Sequence, residues 1–157
     1  MNDLEKYYLH PGYIYASVEQ TLISTVLGSC VSICLWNQKK KFGGMIHFVY
    51  PKNHKNVRNG KYGNVASSHL IKLMLELGSE KSELVAHVIG GANNPILKSN
   101  IGKKNIEMAE KILSKHELKI SIWDVGGETG RKLVFNTATG EILIHKGAKV
   151  REGDWYK

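Results

Sequence analysis

Apolar and polar positions alternate in short runs along most of this chain, and only two stretches carry a helical period. "YIYASV" (13–18) alternates weakly, while "VSICLW" (31–36) and "FGGMIHFVY" (42–50) read as strands joined by a lysine-rich turn, a β-hairpin pattern. After a polar loop with Pro51, Gly60 and Gly63, the segment "NVASSHLIKLMLELG" spaces Ala66, Leu70, Leu73, Met74 and Leu77 as one helix face and stops at Gly78. "ELVAHVI" (83–89) reads as a buried strand ending in Gly90-Gly91. "IEMAEKILSKH" (106–116) is predicted as a second amphipathic helix, with an apolar stripe of Ile101, Met108, Ala109, Ile112 and Leu113. "KISIWDV" (119–125), "RKLVFN" (131–136) and "EILIHK" (141–146) follow as three more strands, separated by "GGETG" and "TATG". Many strands with two interspersed helices predict an α+β domain with mixed or antiparallel sheets rather than a doubly wound parallel fold.

Composition narrows this picture. A chain of 157 residues with 42% hydrophobic side chains suits one domain, expected to span 1–157. The opening "MNDLEKYY" has neither a basic nor an apolar signal region, and the chain has only two cysteines, so a reducing, cytoplasmic setting without disulfides is expected. No apolar run approaches the roughly 18 to 20 residues that span a bilayer, so no direct membrane insertion is expected. The formal net charge of +8 favours acidic partners. The lysines at 39–41 and from 52 to 61 follow no helix-turn-helix, zinc-finger or RNA-binding pattern, and no nucleic-acid partner is expected.

The chemistry centres on "LGSCVSIC" (27–34). If the hairpin loop is even and centred between Gln38 and Lys39, residues whose numbers sum to 77 face each other, which pairs Cys30 with His47; an odd loop would put them on opposite faces. A neighbouring imidazolium would lower the thiol pKa and make Cys30 nucleophilic near neutral pH. Cys30 also follows a Gly-Ser turn, where backbone N–H groups can face an oxyanion. Cys34, mid-strand on the same face, reads as a small buried side chain, and on the residues alone Cys30 and His47 also admit that structural reading. The histidines at 10, 54, 69, 87, 116 and 145 show no metal-ligand spacing, so no metal or other cofactor is expected. The glycine pairs at 43–44, 90–91 and 126–127 lack any phosphate-loop context and read as sites of positive φ or close packing.

"TVLGSCVSICLW", "GGMIHFVYP", "GKYGNVA", "HVIGGA", "NIGKKN" and "WDVGGETGRKLVFNTATGEI", in that order over about residues 12–146, resemble the chemoreceptor glutamine deamidases of bacterial and archaeal chemotaxis, the CheD family. The resemblance implies a cysteine amidohydrolase that converts receptor glutamines to glutamate through a thioester, with Cys30 as nucleophile and His47 as base. It further implies a threonine upstream of the Gly-Ser-Cys turn that orients the histidine; Thr25 is preferred, with Ser24 as the alternative at the longer spacing. Stacked β-sheets flanked by helices, similar to the catalytic domain of cytotoxic necrotizing factor toxins, are implied as the fold. Methyl-accepting chemotaxis receptors are the implied substrate and a CheC-type phosphatase an implied partner. A non-catalytic chemotaxis adaptor, or a receptor methylesterase using the same site, are the competing readings.

Overall fold

The computed structural model describes residues 4–52 and 58–147. Among the described residues nine strands form two mixed sheets, with two α-helices, as the α+β expectation requires. The strands are β1 (Glu5–Tyr8), β2 (Ile14–Ser17), β3 (Thr21–Leu27), β4 (Val31–Asn37), β5 (Phe42–Ile46), β6 (Leu84–Gly90), β7 (Lys119–Val125), β8 (Arg131–Asn136) and β9 (Ile142–Lys146); the helices are α1 (Gly63–Glu76) and α2 (Ile101–Lys115). One sheet runs β1-β3-β8-β9 and the other β2-β5-β4-β6-β7. Among the described strands, β1 with β3 and β6 with β7 pair in parallel and the other neighbours are antiparallel. The β6–β7 pair is joined through α2, the crossover that parallel neighbours need.

β4, β5 and β6 are buried almost throughout because both of their faces are covered. Val31, Ile33, Leu35, Ile46, Ala86 and Val88 point towards α1 and α2, meeting Leu70, Met74, Ala109 and Leu113 in one core. On the opposite face Cys30, Cys34, Met45 and Ile89 meet Ile23, Leu27, Leu133 and Phe135 of the four-stranded sheet in a second core. The result is helices, then five strands, then four. Gly44 lets α1 come close: a Cβ there would lie 2.9 Å from a Leu70 methyl and 2.7 Å from the Ala16 Cβ.

Several sequence expectations shift. The hairpin ladder pairs Cys34 with Met45 and Asn37 with Phe42, so numbers sum to 79 and the four-residue turn Gln38–Lys41 is centred between Lys39 and Lys40. Asn37 sets that centre, because its Oδ1 accepts from the N–H groups of Lys39 and Lys40. The strand expected over 42–50 leaves the regular ladder after Ile46 and keeps isolated bridges from Phe48 to Val31 and from Tyr50 to Tyr62. α2 begins at Ile101, the first residue of the apolar stripe and five residues before the predicted span 106–116. β1 and β3 had no counterpart in the sequence reading.

Candidate active site

β3 carries Thr21, Ile23, Thr25 and Leu27 on its buried side, with Leu22, Ser24 and Val26 on the other. Thr25 therefore faces the five-stranded sheet, and Ser24 does not. Across the gap, the bridge between Val31 and Phe48 continues the hairpin register, held by N–H···O bonds of 3.2 and 3.0 Å. In that register Cys30 is level with Val49 rather than with His47, which corrects the expected pairing. The even loop keeps parity, so Cys30 and His47 still share a face, as diagonal neighbours within reach of an imidazole.

Thr25 Oγ1 lies 2.7 Å from His47 Nδ1 and 2.7 Å from the Leu9 carbonyl oxygen. The carbonyl can only accept, so the single hydroxyl proton of Thr25 goes to Leu9 and its oxygen accepts from His47. That arrangement fixes the tautomer: Nδ1 carries the hydrogen and Nε2 the lone pair. Nε2 is buried and has no hydrogen-bond partner among the described residues. Burial, reinforced by nearby His10 and opposed by the Leu9 backbone, pushes the His47 imidazole down to about 3. The ring is thus a neutral base at physiological pH, where the sequence reading expected an imidazolium.

The turn that carries Cys30 is held at three successive carbonyls. Gly28 C=O accepts from Ala92 N–H at 3.0 Å, Ser29 C=O from Asn105 Nδ2 at 3.0 Å, and Cys30 C=O from Gly91 N–H at 2.8 Å. Gly90 and Gly91 adopt φ of +114° and +71°, and a Cβ on Gly90 would fall 2.3 Å from the Cys30 oxygen. Only glycine satisfies both constraints. Asn105 also donates to the Val49 carbonyl at 2.9 Å, so α2 ties the turn that carries Cys30 to the segment that follows His47. The sequence reading left Asn105 outside its predicted helix.

Cys30 is 0% and His47 2% exposed. The segment from Leu9 to Gly12 lies against the histidine, with Leu9 bound to Thr25 and the Gly12 N–H donating to the His47 carbonyl at 2.8 Å. The adjoining hollow, about 310 Å³, is lined by Pro11, Val49, Tyr50 and Lys61. Cys34 is fully buried opposite His87, and burial pushes its thiol upward, away from thiolate. His87 packs edge-on against Phe135. Among the described residues no three His, Cys, Asp or Glu side chains cluster to hold a metal, and no helix is long and apolar enough to cross a membrane.

A family model described as CheD chemotactic sensory transduction matches residues 50–146. A protein of Trichlorobacter lovleyi named probable chemoreceptor glutamine deamidase CheD is 41% identical over 148 residues, 92% of each chain. The protein of that name from Sulfurimonas denitrificans is 37% identical, covering 90% of this chain and 94% of its own. One from Methanococcus vannielii is 38% identical over 82% of this chain and 87% of its own. A crystal structure of a Neisseria meningitidis protein aligns at a TM-score of 0.45 and 7% identity, over 80% of this chain and 65% of that one. With nearly the whole sequence aligned to proteins of one name across bacteria and archaea, this chain belongs to the CheD family.

Proposed function

We propose that this chain hydrolyses glutamine side chains of chemotaxis receptors to glutamate, with Cys30 as nucleophile, His47 as base and Thr25 as the residue that orients it. The observation that carries the assignment is the tautomer: Thr25 holds Nδ1–H, leaving an unpartnered Nε2 on the face that also carries Cys30. The relatives' name supplies the substrate class.

Nε2 takes the thiol proton as sulfur forms a bond to the glutamine δ-carbon, and the carbonyl π pair moves to oxygen. The Cys30 N–H is the natural donor to that oxyanion. The imidazolium so formed sits in a dry site that disfavours it, which makes it a strong acid towards the departing amide nitrogen. Collapse breaks the C–N bond, releases ammonia and leaves a thioester. His47, neutral again, activates water; the second tetrahedral adduct expels the thiolate, which regains its proton. The net change is glutamine plus water to glutamate plus ammonia.

A carboxamide reaches Cys30 only when its cover moves, because the sulfur has no solvent contact in this state. The 9–12 segment and the hollow at Val49 are where that movement belongs. The reading extends to one deamidase domain over 1–157 acting in the cytoplasm, to a sheet arrangement shared with cytotoxic necrotizing factor catalytic domains, and to a CheC-type phosphatase partner. The two packed sheets and the family membership support these extensions.

The deciding experiment incubates the full chain with a receptor cytoplasmic fragment and reads glutamine-to-glutamate conversion by mass spectrometry. Conversion by the parent and none by Cys30→Ala is expected. A Cys30→Ala protein that still converts glutamine refutes the assignment. Loss of methyl esters without amide conversion would make it a methylesterase, and receptor binding without either reaction an adaptor.

A further inference from the structure

Asn105 is a fully buried polar side chain on a helix that otherwise packs apolar residues on the five-stranded sheet. Its Nδ2 donates to two carbonyls from separate parts of the site, Ser29 at 3.0 Å and Val49 at 2.9 Å. Its Oδ1 has no partner among the described residues. A buried acceptor left unsatisfied is unfavourable, so the two donor bonds are what the residue contributes. Both acceptors are carbonyls, which fixes the amide with its nitrogen towards them.

Ser29 C=O belongs to the same peptide unit as the Cys30 N–H. No peptide bond among the described residues is cis, so in this planar unit the two groups point in opposite directions. Anchoring the oxygen on α2 therefore turns the Cys30 N–H away from α2. The flanking carbonyls of Gly28 and Cys30 are held by Ala92 and Gly91, so the Ser29–Cys30 unit has no freedom to rotate alone. Val49 is level with Cys30 across the hairpin register, so the second bond fixes the distance between the nucleophile turn and the segment leaving His47.

Building on the deamidase reading, we infer that Asn105 is a positioning residue for oxyanion stabilisation: by gripping Ser29 C=O and Val49 C=O it aims the Cys30 N–H at the oxygen of a tetrahedral adduct on Cys30. It acts through the backbone and touches no reacting atom. The carbonyl oxygen of the substrate, and not the nucleophilicity of the sulfur, is what it serves.

Two probes separate those roles. Iodoacetamide alkylates a thiol by displacement at carbon and creates no oxyanion. Propionaldehyde adds reversibly: sulfur bonds to the aldehyde carbon, the π pair goes to oxygen, and that oxygen takes up the thiol proton to give a hemithioacetal. Both probes need the same access to Cys30, so their ratio isolates the oxyanion contribution. In the full chain, Asn105→Ala should keep the alkylation rate at Cys30 within about threefold of the parent while aldehyde protection weakens about 10- to 100-fold, somewhat less than outright loss of an oxyanion donor. Deamidation kcat should fall by a similar factor with KM within about threefold. Should Asn105→Ala not fold, Asn105→Ser, which retains one donor, should fall between it and the parent. Parallel loss of alkylation and aldehyde binding, or no change in either, overturns the inference. If the parent binds aldehyde but converts no receptor glutamine, the deamidase reading fails, and the aldehyde result still decides the role of Asn105.

Discussion

Thr25 lies on β3 of the four-stranded sheet and His47 directly follows β5 of the five-stranded one, and the 2.7 Å contact between the threonine hydroxyl and Nδ1 joins the two layers. Because the hydroxyl proton is committed to Leu9, this contact selects a tautomer as well as an orientation. Thr25→Val keeps the shape and removes both bonds. General-base catalysis is worth about 10²–10⁴-fold, and losing control of tautomer and aim should cost on the order of 10- to 100-fold in kcat. The buried Leu9 carbonyl left alone should also lower stability by about 1–3 kcal/mol. Thr25→Ser should restore most of both, and Ser24→Ala, on the far face of β3, should leave kcat within about twofold. Steady-state deamidation kinetics decide it; a larger loss at Ser24 than at Thr25 would reverse the assignment.

The depressed basicity of His47 links folding to pH. In the unfolded chain the imidazole titrates near 6.5, and in the folded protein near 3. Below pH 6.5 the unfolded state binds a proton that the native state refuses, so stability is complete above 6.5 and is lost progressively as pH falls towards 3. At about 1.4 kcal/mol per unit, this one group accounts for at most about 5 kcal/mol. Burial lowers His87 as well, which adds in the same direction. Urea unfolding of the parent and of His47→Gln should show a stability difference that shrinks on acidification through this window, and a difference independent of pH would contradict the buried neutral ring. The acid limb of kcat/KM should likewise lie well below pH 6.5.

Asp124 accepts from Arg131 Nε and Nη2, each at 3.2 Å, and from Lys146 Nζ at 2.9 Å, tying the edge of one sheet to two strands of the other. Arg131 is nearly buried and also donates to the carbonyls of Gly126 and Thr129, which fastens the glycine-rich loop beside Gly90. Burial pushes the Asp124 carboxyl up, but its hydrogen bonds to Lys146 and Arg131 outweigh that and hold it below the usual range. Asp124→Asn strands the guanidinium and should destabilise by about 3 kcal/mol, at the low end for a broken buried pair because Asp124 keeps some solvent contact. Asp124→Asn combined with Arg131→Leu should recover part of the loss, measurable as a shift of the urea midpoint. Equal or greater loss in the double variant would show that the loop bonds, not the charge pair, dominate.

How much of this was legible in the sequence follows from what each signal encodes. Helix α1 and strands β6 to β8 were readable because apolar period and glycine stops coincide there. β3 is not, since "TLISTVL" puts two threonines beside Ile23 and Leu27 on its buried side and Leu22 and Val26 on the other, so neither face stands out as apolar. That omission mattered, because the face of β3 is what separates Thr25 from Ser24. The sequence leaves the parity of the hairpin open; the loop is even, and its centre lies one residue beyond the assumed one because Asn37 captures the turn through Oδ1. Asn105 was passed over because a polar residue in the second turn of a helix gives no sign of facing a buried carbonyl 76 positions away.

The basic balance of the chain gains a location from the surface beside the site. Arg58, His69 and Lys72 line a hollow of about 560 Å³ with Ile14, Gly60 and Ser68, and Lys61 lines the smaller one at Val49. The strip between the two hollows leans on Gly12, where a Cβ at Gly60 would come within 2.2 Å of the carbonyl oxygen. Gly12 in turn holds His47 through its N–H. Acidic side chains flanking a target glutamine would therefore meet positive charge on the way to Cys30. Raising salt from about 50 to 300 mM should raise KM for a receptor fragment several-fold and leave kcat nearly constant, since the Debye length shrinks below the spacing of such contacts. Arg58→Ser with Lys72→Ser should raise KM at low salt and flatten that dependence. An unchanged salt slope in the double variant would move the docking surface elsewhere on the molecule.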